Sequence, residues 1–269
     1  MQRLDVIPIL FILALNRSLI APLVKGGWGD LPWRSQIKMV LGVTMKIDLN
    51  NYEALTFDCY GTMIDWETGV STAIAPILSN HNIQLTNEQI FDAFGEIENE
   101  IEAGEYIKYR QVLRNVVKKM GDRFDFTPNP TEVDALANSL TSWQPFSDSV
   151  EALKVLKQKF KLAVISNVDN DLFAETVKHL QVDFDYVITA EQLKSYKPSH
   201  NNFYAAFDRI GLPKEKILHV AASVYHDIVP AKTLGMTAVW VNRRGVKQDS
   251  GADLEVPDLK TLASLVNQN

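Results

Sequence analysis

The sequence predicts an α/β fold: a doubly wound, Rossmann-like parallel sheet with a helical segment inserted after its first strand. Three observations predict it. Short, almost wholly apolar runs at 54–57, 161–166, 186–189, 217–221 and 237–241 have the length and composition of strands buried on both faces. From residue 146 onward these runs alternate with helical patterns, which calls for right-handed crossovers between parallel strands. Between Met63 and Phe160, by contrast, no such run occurs and the pattern is helical.

Taken in order, residues 1–50 form an N-terminal extension. Its apolar run at 6–15 is too short to span a bilayer and lacks the basic flank of a secretory signal. It reads as an upstream addition with Met45 the natural start and no membrane role, so removing residues 1–44 is expected to leave folding and activity intact. Residues 51–66 hold the first strand, and the Gly61-Thr62 turn leads to a helix over 67–80. A long amphipathic stretch over 86–120 is opened by the capping groups of Thr86-Asn87-Glu88-Gln89. Gly121 and Pro128-Asn129-Pro130 break it before a further helix over 131–143. Residues 67–145 therefore make a helical cap. Residues 146–269 complete the core, with helices at 147–159, 172–180, 201–210, 229–234 and 259–266 between the remaining strands.

Composition narrows the function. With 46% hydrophobic and 22% charged residues the chain can bury a sizeable core. A net charge of −6 argues against a nucleic-acid partner, which would need a basic footprint. The single cysteine, Cys59, excludes an internal disulfide and fits a cytoplasmic setting. The five histidines are widely spaced, so no metal-ligand pair is expected. No Gly-x-Ser-x-Gly elbow, phosphate loop or dinucleotide fingerprint is present, and no cofactor is expected.

The chemistry concentrates at strand ends. Ala-Leu-Thr-Phe-Asp places Asp58 at the carboxyl end of the first strand, where open α/β sheets bind ligands. An aspartate there either caps a turn or acts as a nucleophile that splits one displacement into two. Ser166-Asn167 closes the second strand and by itself fits a turn cap. Lys197, before Pro198, is either a solvated lysine or a cation beside Asp58 that keeps the carboxylate ionised. Asp227, in Tyr-His-Asp, is either a helix cap or that lysine's partner.

The four segments Phe-Asp-x-Tyr-Gly-Thr, Val-Ile-Ser-Asn, Tyr-Lys-Pro and Tyr-His-Asp, in this order, resemble the haloacid dehalogenase-like hydrolase superfamily, and within it the 2-haloacid dehalogenase branch. The similarity runs from Tyr52 to the C-terminus. It implies catalytic roles for Asp58 (nucleophile), Lys197 and Asp227, and a site for the substrate carboxylate at Ser166, Asn167 and the amides of Cys59 and Tyr60. Thr62 would fix Asp58 through its hydroxyl. Phosphatases of the superfamily carry a second aspartate where Tyr60 stands, and an acidic residue in the stretch that here reads Ala221-Ala222-Ser223. Both changes argue against magnesium-assisted phosphoryl transfer. The implied reaction is hydrolysis of a 2-haloalkanoate, a small carboxylate substrate, through an aspartyl ester. Alternatives are a phosphatase or phosphonate hydrolase, and a non-catalytic binding descendant.

The sequence departs from the dehalogenase pattern in several places. No arginine occupies the cap region near residues 94–98 that would receive the halide; Arg110 is a candidate substitute. Phe203 stands where a tyrosine is usual, and Ala222-Ser223-Val224 replaces a more polar segment. Phe94, Tyr106 and Tyr109 are expected to shield the site, Arg243 to lie on the surface, and the exposed cap helices are compatible with a homodimer.

Overall fold

The computed structural model describes residues 47–266. The reading of residues 1–44 therefore lies wholly outside the described part. Strand β1 (Ala54–Phe57) is followed by helices α1 (Trp66–Asn80), α2 (Asn87–Glu102), α3 (Tyr109–Phe124) and α4 (Pro130–Ser139). Then come α5 (Ser149–Lys157), β2 (Lys161–Ser166), α6 (Asn170–Leu180), β3 (Tyr186–Thr189) and the single turn α7 (Ala190–Leu193). The chain closes with α8 (His200–Ile210), β4 (Ile217–Ala221), α9 (Val229–Thr233), β5 (Thr237–Val241), β6 (Leu254–Val256) and α10 (Leu259–Val266). The strands form one sheet in the order β3-β2-β1-β4-β5-β6, and every pairing is parallel.

This is the doubly wound arrangement the apolar runs predict. β1 and β4 are buried along their whole length, as strands covered on both faces must be. One apolar cluster, including Leu55, Phe57, Leu153 and Val220, joins a sheet face to the inserted helices through Ile74, Phe94 and Val116. A second, around Ile165, Phe203, Ile217 and Trp240, fills the opposite face. Among the described residues no helix is long and apolar enough to cross a membrane.

The inserted segment differs from expectation in two ways. The stretch over 86–120 is two helices, because the chain leaves helical geometry at 103–108, around Gly104. Gly121 does not end α3, which runs on to Phe124 and stops at Asp125 in the left-handed region (φ 57°). Gly121 is needed for close approach instead: a Cβ there would lie 2.5 Å from the Phe126 carbonyl oxygen and 2.9 Å from Pro128. The helix starts are as the sequence reads. Thr86 and Gln89 form a reciprocal capping box on α2, and Asn129 with Glu132 does the same for α4 behind Pro130. β6, a three-residue edge strand, was not foreseen.

The two ends of the insert meet. Phe146 N–H donates to the Met63 carbonyl (3.0 Å) and Asp65 N–H to that of Gln144 (2.9 Å). Arg243 closes the junction, donating through Nε to the Thr62 carbonyl (2.9 Å) and through Nη1 to Asp148 (2.9 Å). Its guanidinium lies 3.8 Å from the centre of the Phe146 ring. The expectation of a surface Arg243 is thus corrected: its side chain is 12% exposed and anchors both chain crossings.

Candidate active site

β1 ends at Phe57, and Asp58 is held in the sheet's line by its N–H, which donates to the Val220 carbonyl at 3.1 Å. The chain then turns sharply, with Cys59 C=O accepting from Met63 (2.8 Å) and Ile64 (3.1 Å). That turn brings Thr62 back onto Asp58. The Thr62 hydroxyl donates to Asp58 Oδ2 at 2.7 Å and accepts from Ala222 N–H at 2.8 Å. The Cys59 side chain points into the core and is fully buried, and burial pushes its thiol up. Among the described residues, nothing accepts from the amides of Cys59 or Tyr60, so these two N–H groups are free for an anion.

Lys197 sits between two carboxylates. Its Nζ donates to Asp58 Oδ1 (2.8 Å), Asp227 Oδ1 (2.7 Å) and the Ile165 carbonyl (2.9 Å). All three ammonium hydrogens are therefore committed. Burial opposes the charge, but Asp227 and then Asp58 outweigh it and hold the ammonium above the ordinary lysine value. Asp58 is raised by burial, with Lys197 pulling down and Asp227 pushing up. Asp227 is lowered: burial acts against the charge, and Lys197 and His219 overcome it. A divalent cation would have to share the two carboxylates that the ammonium bridges. Among the described residues no group of three or more His, Cys, Asp or Glu side chains is disposed to hold a metal ion.

Asp227 is positioned by the sheet itself. It sits on a π-helical turn, Val224–Ile228, beyond β4. His219, fully buried within β4, places Nε2 3.1 Å from Asp227 Oδ1 and Nδ1 2.9 Å from the Thr56 hydroxyl. A carboxylate can only accept, so Nε2 donates to Asp227. Its one mark in the sequence is a lone histidine inside the apolar run Ile-Leu-His-Val-Ala.

The remaining expected residues have these placements. Tyr60 turns its hydroxyl to Thr176 Oγ1 (2.9 Å); since Thr176 donates to the Leu172 carbonyl (3.1 Å), Tyr60 is the donor. Asn167 is fully engaged: its amide hydrogens go to Glu102 Oε2 (2.9 Å) and the Lys197 carbonyl (3.0 Å), and its Oδ1 accepts from Lys197 N–H (2.7 Å). It therefore holds Lys197 in place and has no amide hydrogen left for a substrate carboxylate. Ser166 Oγ is buried without a hydrogen-bond partner among the described residues. Arg110 does not face the site; it pairs with Asp171 at 2.7 Å, 30% exposed. Phe203 is fully buried, its ring edge-on to His219 with centroids 5.3 Å apart.

A cavity of about 80 Å³ joins these groups, lined by Asp58, Tyr60, Asn167, Lys197, Ser223 and Asp227. Its other walls are Tyr109, expected to shield the site, and Glu98, Glu102 and His226, which the sequence did not mark as site residues. Burial pushes Glu98 up to about 7 and Glu102 well above the usual carboxylate range. Burial also pushes His226 down to about 4, so its ring is neutral at pH 7.

The aspartate at the end of β1, fixed by a threonine and an ammonium, sits where open α/β sheets bind ligands. The chain belongs to the haloacid dehalogenase-like hydrolases, whose family model matches residues 52–235. It is 21% identical over 212 residues to an (S)-2-haloacid dehalogenase of Pseudomonas putida, covering 73% of this chain and 87% of that one. It is 28% identical over 170 residues to the corresponding protein of Pseudomonas sp. strain YL, covering 60% and 71%. In fold it is similar to the L-2-haloacid dehalogenase of Xanthobacter autotrophicus, with TM-score 0.68 and 20% identity over 80% of this chain and 98% of that one.

Proposed function

We propose that the chain is a hydrolytic dehalogenase that converts a 2-haloalkanoate to a 2-hydroxyalkanoate and halide. The observation that carries this reading is Lys197, whose ammonium lies 2.8 Å from Asp58 and 2.7 Å from Asp227. It neutralises the nucleophile without a metal, and Tyr60, engaged with Thr176, offers no acid to an oxygen leaving group. An Asp58 oxygen attacks C2 from behind the carbon–halogen bond, forming an ester as the halide departs with the electron pair. Water then adds to the Asp58 carbonyl carbon, and the ester breaks to restore the carboxylate. The free Asp227 Oδ2, buried and without a partner among the described residues, is the acceptor available to orient that water. The amides of Cys59 and Tyr60, with Ser166, receive the substrate carboxylate, while Asn167 positions Lys197. Helices α1–α4 act as the cap that excludes bulk water. The named relatives support the electrophile.

Halide release from racemic 2-chloropropanoate in EDTA, beside Asp58→Asn, tests the proposal. Release that stops near half the substrate and is absent in the variant is the expected result. A folded wild-type protein that frees no halide rejects it, and EDTA-sensitive release of phosphate from phosphate esters would put a phosphatase in its place.

A further inference from the structure

Backside attack on C2 sends the leaving group away from Asp58 into the rest of the cavity, whose α2 wall is made of carboxyl groups. Glu98 and Glu102 lie one helical turn apart on α2 and line the same cavity as Asp58. The Tyr109 hydroxyl donates to Glu98 Oε1 at 2.5 Å, which leaves Oε2 for the cavity. The Glu102 side chain is 4% exposed; its Oε2 accepts from Asn167, and its Oε1 has no partner among the described residues. A buried carboxyl oxygen without a partner, on a cavity wall, is an unmet hydrogen bond that a ligand would complete.

Two kinds of ligand would complete it: a donor facing ionised carboxylates, or an acceptor facing neutral carboxyls. Charge decides between them. The groups that face Glu98 are Asp58 and Tyr60 from the β1 turn, Tyr109 from α3, Glu102 from its own helix, and Lys197, His226 and Asp227 from the loops below. The only cation among these is Lys197, whose three hydrogens already serve Asp58, Asp227 and Ile165. His226 Nε2 approaches Glu102 only to 3.9 Å. With no counter-charge, a buried carboxyl takes up a proton, in line with the upward displacement of both glutamates. The wall therefore presents O–H donors.

We propose that Glu98 and Glu102 form the leaving-group subsite: as neutral carboxyls they hydrogen-bond the anion displaced by Asp58. The inference rests on the reading of Asp58 as nucleophile. It names a substrate class, 2-haloalkanoates with the halide that accepts hydrogen bonds most strongly, fluoride, for which a donor matters most. In that step the Asp58–C2 bond forms, the C2–F bond breaks, and the electron pair leaves with fluorine as fluoride, held by the carboxyl O–H groups. Water then hydrolyses the ester, restoring the Asp58 carboxylate and liberating the 2-hydroxyalkanoate and one proton. Bromide, a weaker acceptor, gains less from the hydrogen bond.

Fluoride alone tests the subsite, read by ¹⁹F NMR with the full chain at pH 6.0 and 8.5. Binding should be about tenfold or more weaker at pH 8.5, since a carboxyl near 7 is mostly neutral at the lower pH and ionised at the higher. Glu98→Gln keeps a donor and cannot titrate, so the pH effect should vanish. Tyr109→Phe removes a hydrogen bond that holds Glu98 down and should move the midpoint to higher pH. No saturable fluoride binding, or a pH effect that survives Glu98→Gln, overturns the subsite whether or not halide is released from substrate. Fluoride binding without any turnover keeps the anion site and removes the Asp58 reading. Where turnover is seen, Glu98→Leu, which removes the donor, should slow 2-fluoropropanoate at least tenfold more than 2-bromopropanoate. An equal loss overturns the leaving-group role.

Discussion

At the scale of single residues, the site is a chain of buried charges whose members are worth little alone. Asp58, Lys197 and Asp227 are at most 10% exposed as side chains. Removing the ammonium leaves two buried carboxylates without a counter-charge, a change that costs about 3–5 kcal/mol. Lys197→Met should therefore lower Tm sharply and abolish turnover, while Asp58→Asn, which spares Asp227, should cost less; calorimetry on both variants checks the order. The catalytic candidates were legible because each closes an apolar strand or sits in a short, unusual motif. Glu98 and Glu102 were not. They fall in the run Glu96, Glu98, Glu100, Glu102, where alternate acids mask which face is wet. The usable signal was phase: residues 98 and 102 continue the line of buried Phe94 at intervals of four.

Among the elements, the strands were legible nearly to the residue, because a strand covered on both faces must be apolar throughout. β2, β3, β4 and β5 begin and end where their apolar runs do. β6 escaped because it is three residues at the edge, one of them an exposed glutamate. Helix boundaries shifted where tertiary contact overrode local preference, and α3 passing through Gly121 is the instance with a measurable cost. Gly121→Ala forces its Cβ against the Phe126 carbonyl, and overpacking of this kind costs about 1–3 kcal/mol. Thermal unfolding should show a drop of several degrees with little change in turnover at low temperature.

For the whole molecule, opposing carboxylates set the pH range of stability. Glu132 accepts from Asn80, His81 and the Asn129 amide and is held down to about 2. A lowered group stabilises the fold above its unfolded value, and that contribution is lost as pH falls through the folded value. Glu98 behaves oppositely. Raised to about 7 by burial, it binds its proton more tightly in the fold, so stability falls as pH rises from about 4.5 through about 7. Tm measured from pH 4 to 9 should peak in the mildly acidic range, and Glu98→Gln should flatten the alkaline side. An unchanged alkaline limb would mean that Glu98 is as hydrated in the folded chain as in the unfolded one.

The meeting of the insert's two ends at Arg243 has an evolutionary consequence. Because Met63 and Phe146 already touch, the core sees the whole stretch between them as one closed loop, whatever its length, and loop closure charges little for added residues. The strand ends that carry Asp58, Lys197 and Asp227 can stay fixed while a lineage exchanges the intervening helices as a single cassette. Glu98 and Glu102 travel in that cassette, and Asp58, Lys197 and Asp227 do not. On the proposed reading, a change of leaving group is open to recombination at two adjacent points, while the proposed nucleophile, Asp58, stays in the core.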